Sequence, residues 1–100
     1  MGYYGGINSI GHQQLSVSNV AVSLTQPTGA RAKHATIYIG ANTVLWRADG
    51  TAPTSTVGVT QVAGSIMLLM EPEFDYQGLI ARIQFIRAAA DATLDIEYFS

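Results

Sequence analysis

The sequence predicts an all-β protein: a single antiparallel β-sandwich or a small jelly-roll-like barrel of about seven or eight short strands, with an extended N-terminal arm. Apolar and polar residues alternate with a period of two along most of the chain. Turn residues interrupt this alternation about every 8–12 residues. The connections are too short for the crossovers that parallel strands need. The length of 100 residues corresponds to one domain.

In the first half of the chain, alternation predicts strands over 13–18, 20–24 and 35–39. A turn that contains Pro and Gly, at 26–29, separates the second strand from the third. A fourth strand is expected over 44–47, because Val, Leu and Trp side chains suit a pleated, half-buried surface.

In the second half, the run 65–70 is apolar at both alternating sets of positions, and Pro72 follows it. Either both faces of this strand are covered, or one face is part of a contact. The spacing of apolar residues over 75–83 predicts a short helical turn. Two further strands are expected over 82–88 and 92–99, and the second has the clearest separation of an apolar from a polar face.

The predicted domain boundaries place an arm at 1–12 and the sandwich at 13–100. The arm is rich in glycine and carries Tyr3, Tyr4 and Ile7. Tyrosine brings a large contact area with a polar tip, so the arm is expected to lie across another subunit. The alternative is an unanchored terminus without a partner.

The composition favours association. Hydrophobic residues make up 48% and charged residues 12% of a small chain, which leaves apolar side chains over after a core is filled. We therefore expect a homo-oligomer, and the alternative is a compact, poorly soluble monomer. The net charge of −2 and the scattered basic residues argue against nucleic acid. No apolar run reaches about 18 residues, so no membrane partner is expected.

The residue types give little basis for catalysis or metal binding. There is no cysteine, which excludes disulfides and thiolate zinc sites. His12 and His34 are the only histidines, and neither has an obvious carboxylate partner along the chain. No nucleophile elbow, phosphate loop or dinucleotide fingerprint is present. We expect no cofactor, no metal and no enzymatic activity.

The segment 44–58 reads as a strand followed by a rigid turn. Asp49 and Gly50 supply turn chemistry, and Pro53 stiffens the residues around it. Arg47 is expected to meet Asp49 or an acid on a neighbouring copy. Trp46 is interpreted as a core residue, with a contact anchor or a sugar-stacking platform as alternatives. A loop held in one shape indicates binding or assembly rather than turnover.

Three segments of the chain carry a recognisable pattern. They are Trp46-Arg47-x-Asp49-Gly50-Thr51-x-Pro53-Thr54 with a following Gly58, then Phe85-Ile86-Arg87-Ala88, and finally Asp91-Ala92-Thr93-Leu94-Asp95-Ile96-Glu97-Tyr98. Together they resemble small virion structural proteins of tailed bacteriophages. The resemblance covers about 13–99. The apolar run 65–70 and the Tyr- and Gly-rich arm depart from the pattern, so the position in the particle stays open.

The resemblance implies a capsid cement or decoration protein that stabilises the shell by binding between major capsid subunits. A neck or tail accessory protein is the close variant. The partners would be copies of the chain itself, with a trimer as the oligomer expected first. The other partner would be the major capsid protein or another virion protein. The location would be the virion, after synthesis in the host bacterial cytoplasm.

Two other classes of function remain as alternatives. A carbohydrate-binding β-sandwich module would use Trp46 or Tyr38 as a stacking platform. A small enzyme would need His12 or His34, and it is not favoured because paired acid–base groups are missing. The residues expected to contact partner proteins are Tyr3, Tyr4, Ile7, Arg47, Asp49, Thr51, Pro53, Met67 and Leu69.

Overall fold

The computed structural model describes residues 9–26, 32–70 and 78–99. These residues form eight strands and one short helix. The elements are β1 (Ser9–Val17), β2 (Val22–Ser23), β3 (His34–Ile39), β4 (Val44–Arg47), β5 (Val59–Gln61), β6 (Ile66–Met70), α1 (Leu79–Arg82), β7 (Gln84–Arg87) and β8 (Ala92–Phe99).

The strands form two antiparallel four-stranded sheets. The first sheet has the order β1-β8-β3-β6 and the second has the order β2-β7-β4-β5. The pairs β1–β8, β2–β7, β3–β6 and β4–β5 are those of one long antiparallel hairpin that is folded over on itself. The folding places β3 beside β8 in the first sheet and β4 beside β7 in the second. Eight strands in this order are a jelly roll, which confirms the all-β sandwich prediction.

The core lies between the two sheets, where alternating residues of both point inward. Ile37, Ile39 and Ile96 of the first sheet are fully buried, as are Val44 and Phe85 of the second. Apolar side chains at these alternating positions account for the strands, because each strand buries one face by adopting the pleat.

The structure corrects the predicted start of the first strand. Strand β1 begins at Ser9 rather than at Gln13, and Gly11 and His12 pair with Tyr98 and Glu97 of β8. Glycine in this segment predicts flexibility, but pairing with β8 fixes the backbone of the segment. The register of the pairing shifts between Ser9 and Gly11, as in a β-bulge.

The other elements agree with the predictions to different degrees. The second predicted strand is shortened to β2, and Val20 lies outside it with 65% of its surface exposed. The edge strand β5 was not predicted, because its three residues carry no clear alternation. The helical turn expected over 75–83 is confirmed as α1, which buries Ile80. The arm residues Tyr3, Tyr4 and Ile7 lie outside the described residues.

Candidate binding surface

The outward face of β6 carries a row of exposed apolar side chains. Ile66, Leu68 and Met70 have 69%, 62% and 56% of their surface exposed. Tyr38, which is 44% exposed, lies opposite Ile66 on the neighbouring strand β3. We call these four residues the β6 stripe. A contiguous exposed apolar patch of this kind is typical of a protein contact.

The structure corrects the predicted contact residues on this strand. Met67 and Leu69 are buried, with 7% and 5% exposure, and they belong to the core. A shift of one residue exchanges the two faces of a strand, and the run 65–70 is apolar at every strand position. Its pattern therefore could not show which set of side chains faces the second sheet. Of the two alternatives for this strand, coverage of both faces is excluded within the described residues, because Ile66, Leu68 and Met70 are exposed.

The same outer face of the first sheet becomes polar toward β8 and β1. His12 Nδ1 lies 2.9 Å from Glu97 Oε1, and His12 Nε2 lies 3.7 Å from Asp95 Oδ1. Ser9 Oγ donates a hydrogen bond to Glu97 Oε2. The hydrogen bonds from Ser9 and then from His12 lower the pKa of the Glu97 carboxyl.

This polar cluster was not recognised in the sequence. Glu97 stands 85 positions from His12 and meets it only through the β1–β8 register. Both Ser9 and His12 bond to the carboxylate of Glu97, so the serine hydroxyl is not directed at the imidazole as nucleophile activation requires. Among the described residues, no group of three or more His, Asp or Glu side chains could hold a metal ion.

Arg47 and Asp49 form a bidentate ion pair within the loop that follows β4. Arg47 Nε donates to Asp49 Oδ1 at 3.1 Å and Arg47 Nη2 to Oδ2 at 2.5 Å. The Thr51 backbone N–H also donates to Asp49 Oδ1, at 3.2 Å. The Arg47 guanidinium and then the Thr51 N–H lower the pKa of Asp49, and Asp49 raises the pKa of Arg47. The expected Arg47–Asp49 contact is confirmed.

Pro53 holds this loop against the outside of the second sheet. Leu45 and Ile86 are opposite each other on β4 and β7, and both are buried although they lie outside the main core. Pro53 is buried as well. A Cβ added at Gly58 would lie 3.1 Å from Leu45 Cβ and 3.3 Å from Pro53 Cβ, so the loop backbone packs closely on this patch.

This packing corrects the role expected for Pro53, which shapes the loop and is not accessible to a partner. Thr51 remains exposed at the tip. Thr54 closes the turn beyond it, because its Oγ1 accepts from the Val57 N–H at 3.0 Å. An open cavity of about 430 Å³ lies beside the loop and is lined by Asn19, Pro53, Thr54, Ser55, Ile86, Arg87, Ala88 and Ala89.

Trp46 is half-buried and packs against the core cluster without belonging to it, so the structure supports its interpretation as a core residue only in part. Its indole Nε1 is buried and has no hydrogen-bond partner among the described residues. Tyr38 is the aromatic residue of the sugar-binding alternative that lies exposed.

Comparisons of this chain with protein-family models, with curated proteins and with solved structures give no match. Within the described part of the chain, no helix has the length and apolar character needed to cross a membrane.

Proposed function

We propose that this protein is a structural component of a bacteriophage particle, acting as a cement or decoration protein on the capsid. The observation that carries the proposal is the β6 stripe, an exposed apolar surface at the end of a sheet. The three sequence segments that resemble phage virion proteins indicate the class of partner, which is another protein of the particle. Jelly rolls occur in viral capsid proteins, but the fold is shared by other functions and serves only as supporting context.

The proposed mechanism is burial of apolar surface. The stripe contains no charged residue, so a partner surface of similar character covers it without desolvating a charge. Each contact is small, and repetition on a lattice makes later contacts intramolecular and raises the overall avidity. The rigid loop presents Thr51 at a fixed position, because the Arg47–Asp49 pair and Pro53 hold its backbone.

The experiment has two steps. Mass spectrometry and immunogold labelling of particles of the phage whose genome encodes this chain should find the protein on the capsid surface. Particles produced without it should then bind added wild-type protein and should bind the Leu68→Lys variant far less. The matched control is Leu68→Met, which keeps the apolar surface and should bind like the wild type.

Absence of the protein from purified particles contradicts the proposal. Labelling confined to the neck or tail selects the accessory variant of the same function. Equal binding by Leu68→Lys and wild-type protein removes the β6 stripe from the mechanism.

A carbohydrate-binding module remains the second candidate, because Tyr38 is exposed beside Asp95 on the outer face of the first sheet. An aromatic ring next to a hydrogen-bonding group is the arrangement that sugar stacking uses. A glycan array in which binding is lost in Tyr38→Ala and kept in Leu68→Lys would favour this function over the capsid role.

A further inference from the structure

Strand β6 ends the first sheet, and within the described residues it pairs only with β3. The Ile39 N–H donates to the Ser65 carbonyl at 2.9 Å, which makes Ile39–Ser65 a hydrogen-bonded pair. Bonded and non-bonded pairs alternate along an antiparallel ladder. Met67 and Leu69 therefore bond to β3 through their backbones.

The backbone groups of Ile66, Leu68 and Met70 are consequently directed away from β3, toward the edge that no strand among the described residues pairs with, which we call the open edge. The same three residues carry the exposed apolar side chains. Natural sheet edges are usually protected by charged residues, proline or a bulge. Strand β6 has none of these over its five residues.

We propose that this edge pairs with the β6 edge of a second copy of the chain, in antiparallel orientation about a two-fold axis at Leu68. Leu68 then lies opposite Leu68, Ile66 of each copy opposite Met70 of the other, and Met67 opposite Leu69. Every cross-strand pair is apolar, so the strand is complementary to itself.

The hydrogen-bonding geometry fits this register. The pairs Ile66–Met70, Leu68–Leu68 and Met70–Ile66 join residues whose backbones face the open edge. Each such pair exchanges two main-chain hydrogen bonds. The outward side chains of both copies then form one continuous apolar row, with a Tyr38 ring at each end of the joined strands.

The charges of the first sheet do not oppose this contact. Asp95 and Glu97 lie on β8, which is separated from β6 by β3. In the paired sheet the two β8 strands stand five strand spacings apart, or about 24 Å. That distance exceeds the Debye length of about 8 Å at physiological ionic strength, so the acidic residues of the two copies barely repel.

The contact is small, because it involves five residues of each copy against about 20–30 a side in a standard interface. We expect a dimer that forms with increasing concentration and is reinforced on a lattice. This pairing differs from the trimer that the sequence resemblance implies. Only the use of this dimer in assembly rests on the proposed capsid role. The pairing itself is tested on purified protein without any particle.

The register can be tested with single cysteines, since the chain has none of its own. Leu68→Cys should form an intermolecular disulfide under mild oxidation, because the two Cα atoms would be about 5.5 Å apart. Ile66→Cys is the matched control of similar exposure. It should not crosslink alone, because its own copies would lie about 14 Å apart, but it should crosslink when mixed with Met70→Cys.

Sedimentation equilibrium tests the association itself. The wild type should show a monomer–dimer equilibrium, and Leu68→Lys should raise its dissociation constant about tenfold or more, because two like charges would meet at the axis. Thr36→Lys, which places the same charge one strand away on the same face, should have a much smaller effect. Circular dichroism checks that both variants fold.

Three results would overturn the inference: a monomer at all concentrations, equal crosslinking by Leu68→Cys and Ile66→Cys alone, or a dimer that survives Leu68→Lys and is lost on deletion of 1–8. The last result would assign the contact to the N-terminal segment. Each of these outcomes leaves the particle-binding experiment open, so the two proposals can fail separately.

Discussion

At the scale of single residues, two glycines differ in how closely the rest of the domain packs on them. Gly58 has a φ of 151° and sits where a Cβ would lie 3.2 Å from the Trp46 carbonyl oxygen and close to Leu45 and Pro53. Gly50 has a φ of 87° with nothing within 4 Å of its Cβ position. Both glycines adopt a positive φ that other residues rarely adopt. Only Gly58 also permits a close approach of the loop to the sheet.

We predict that Gly58→Ala lowers the free energy of unfolding by about 2–3 kcal/mol, since it adds both backbone strain and a steric clash. Gly50→Ala, the matched control, should cost about 1 kcal/mol through its positive φ alone. Urea denaturation of the two variants measures the difference. Equal losses would show that the loop does not pack on Leu45 and Pro53 as described.

Among the described residues, Tyr98 is the largest fully buried side chain, and it connects three segments. Its hydroxyl donates to Gln13 Oε1 at 2.7 Å, and the same oxygen accepts from the Thr25 N–H at 3.1 Å. Burial raises the pKa of Tyr98 to about 12. The neutral phenol is therefore the form that the folded state holds.

This burial predicts a stability that depends on pH in the alkaline range. An unfolded tyrosine loses its proton near about pH 10. Because the folded pKa is higher, the contribution of Tyr98 to stability is complete below about pH 10. It is lost as the pH rises toward about 12. Denaturant titrations across this range should show the decline, and Tyr98→Phe should reduce it. Tyrosine absorbance should show a late-ionising phenol that Tyr98→Phe removes.

At the scale of elements, β6 illustrates how one strand serves two purposes. Its alternating faces place Met67 and Leu69 in the core and Ile66, Leu68 and Met70 in solvent. The sequence predicted the strand but assigned the contact to the buried pair. The choice between faces depends on which side of β6 the second sheet covers, and no local property of an all-apolar run specifies that.

Adjacent leucines of β6 provide a direct test of this assignment. Leu69→Ala should lower the free energy of unfolding by about 2–5 kcal/mol, because it leaves a cavity in the core. Leu68→Ala should change it by no more than about 0.5 kcal/mol. Thermal and urea denaturation of both variants at low protein concentration would measure this. A larger loss at Leu68 would contradict the observed orientation of the strand.

The loop after β4 depends on contacts between near neighbours. Asp49 accepts from the Arg47 side chain and from the Thr51 backbone, so Asp49→Asn should weaken both interactions. We expect a modest decrease in melting temperature that becomes smaller at high salt, because the Arg47–Asp49 pair is partly exposed. Asp91→Asn is a comparison variant, since it removes the Arg87–Asp91 pair at 2.5 Å without touching this loop. A decrease that does not respond to salt would assign the effect to the turn rather than to the ion pair.

At the scale of the whole molecule, the jelly roll brings together residues that the sequence keeps far apart. β1 and β8 stand at opposite ends of the chain and pair along almost their full length. This pairing creates the Ser9–His12–Glu97 cluster and closes the core over Ile96. It also leaves β6 at the edge of the sheet, which is the position on which both proposals depend.

Local patterns in the chain specify the all-β class, the turn at Asp49 and Gly50, the helical turn at α1 and the Arg47–Asp49 contact. These features arise from backbone sterics, from the period of the apolar pattern and from interactions between residues two positions apart, so they can be predicted without the fold. The strand order, the exposed face of β6, the partners of His12 and the packing of Pro53 over Leu45 emerge only in the folded molecule. They depend on register and on contact between two sheets, and those are set only when distant segments bury their apolar faces together.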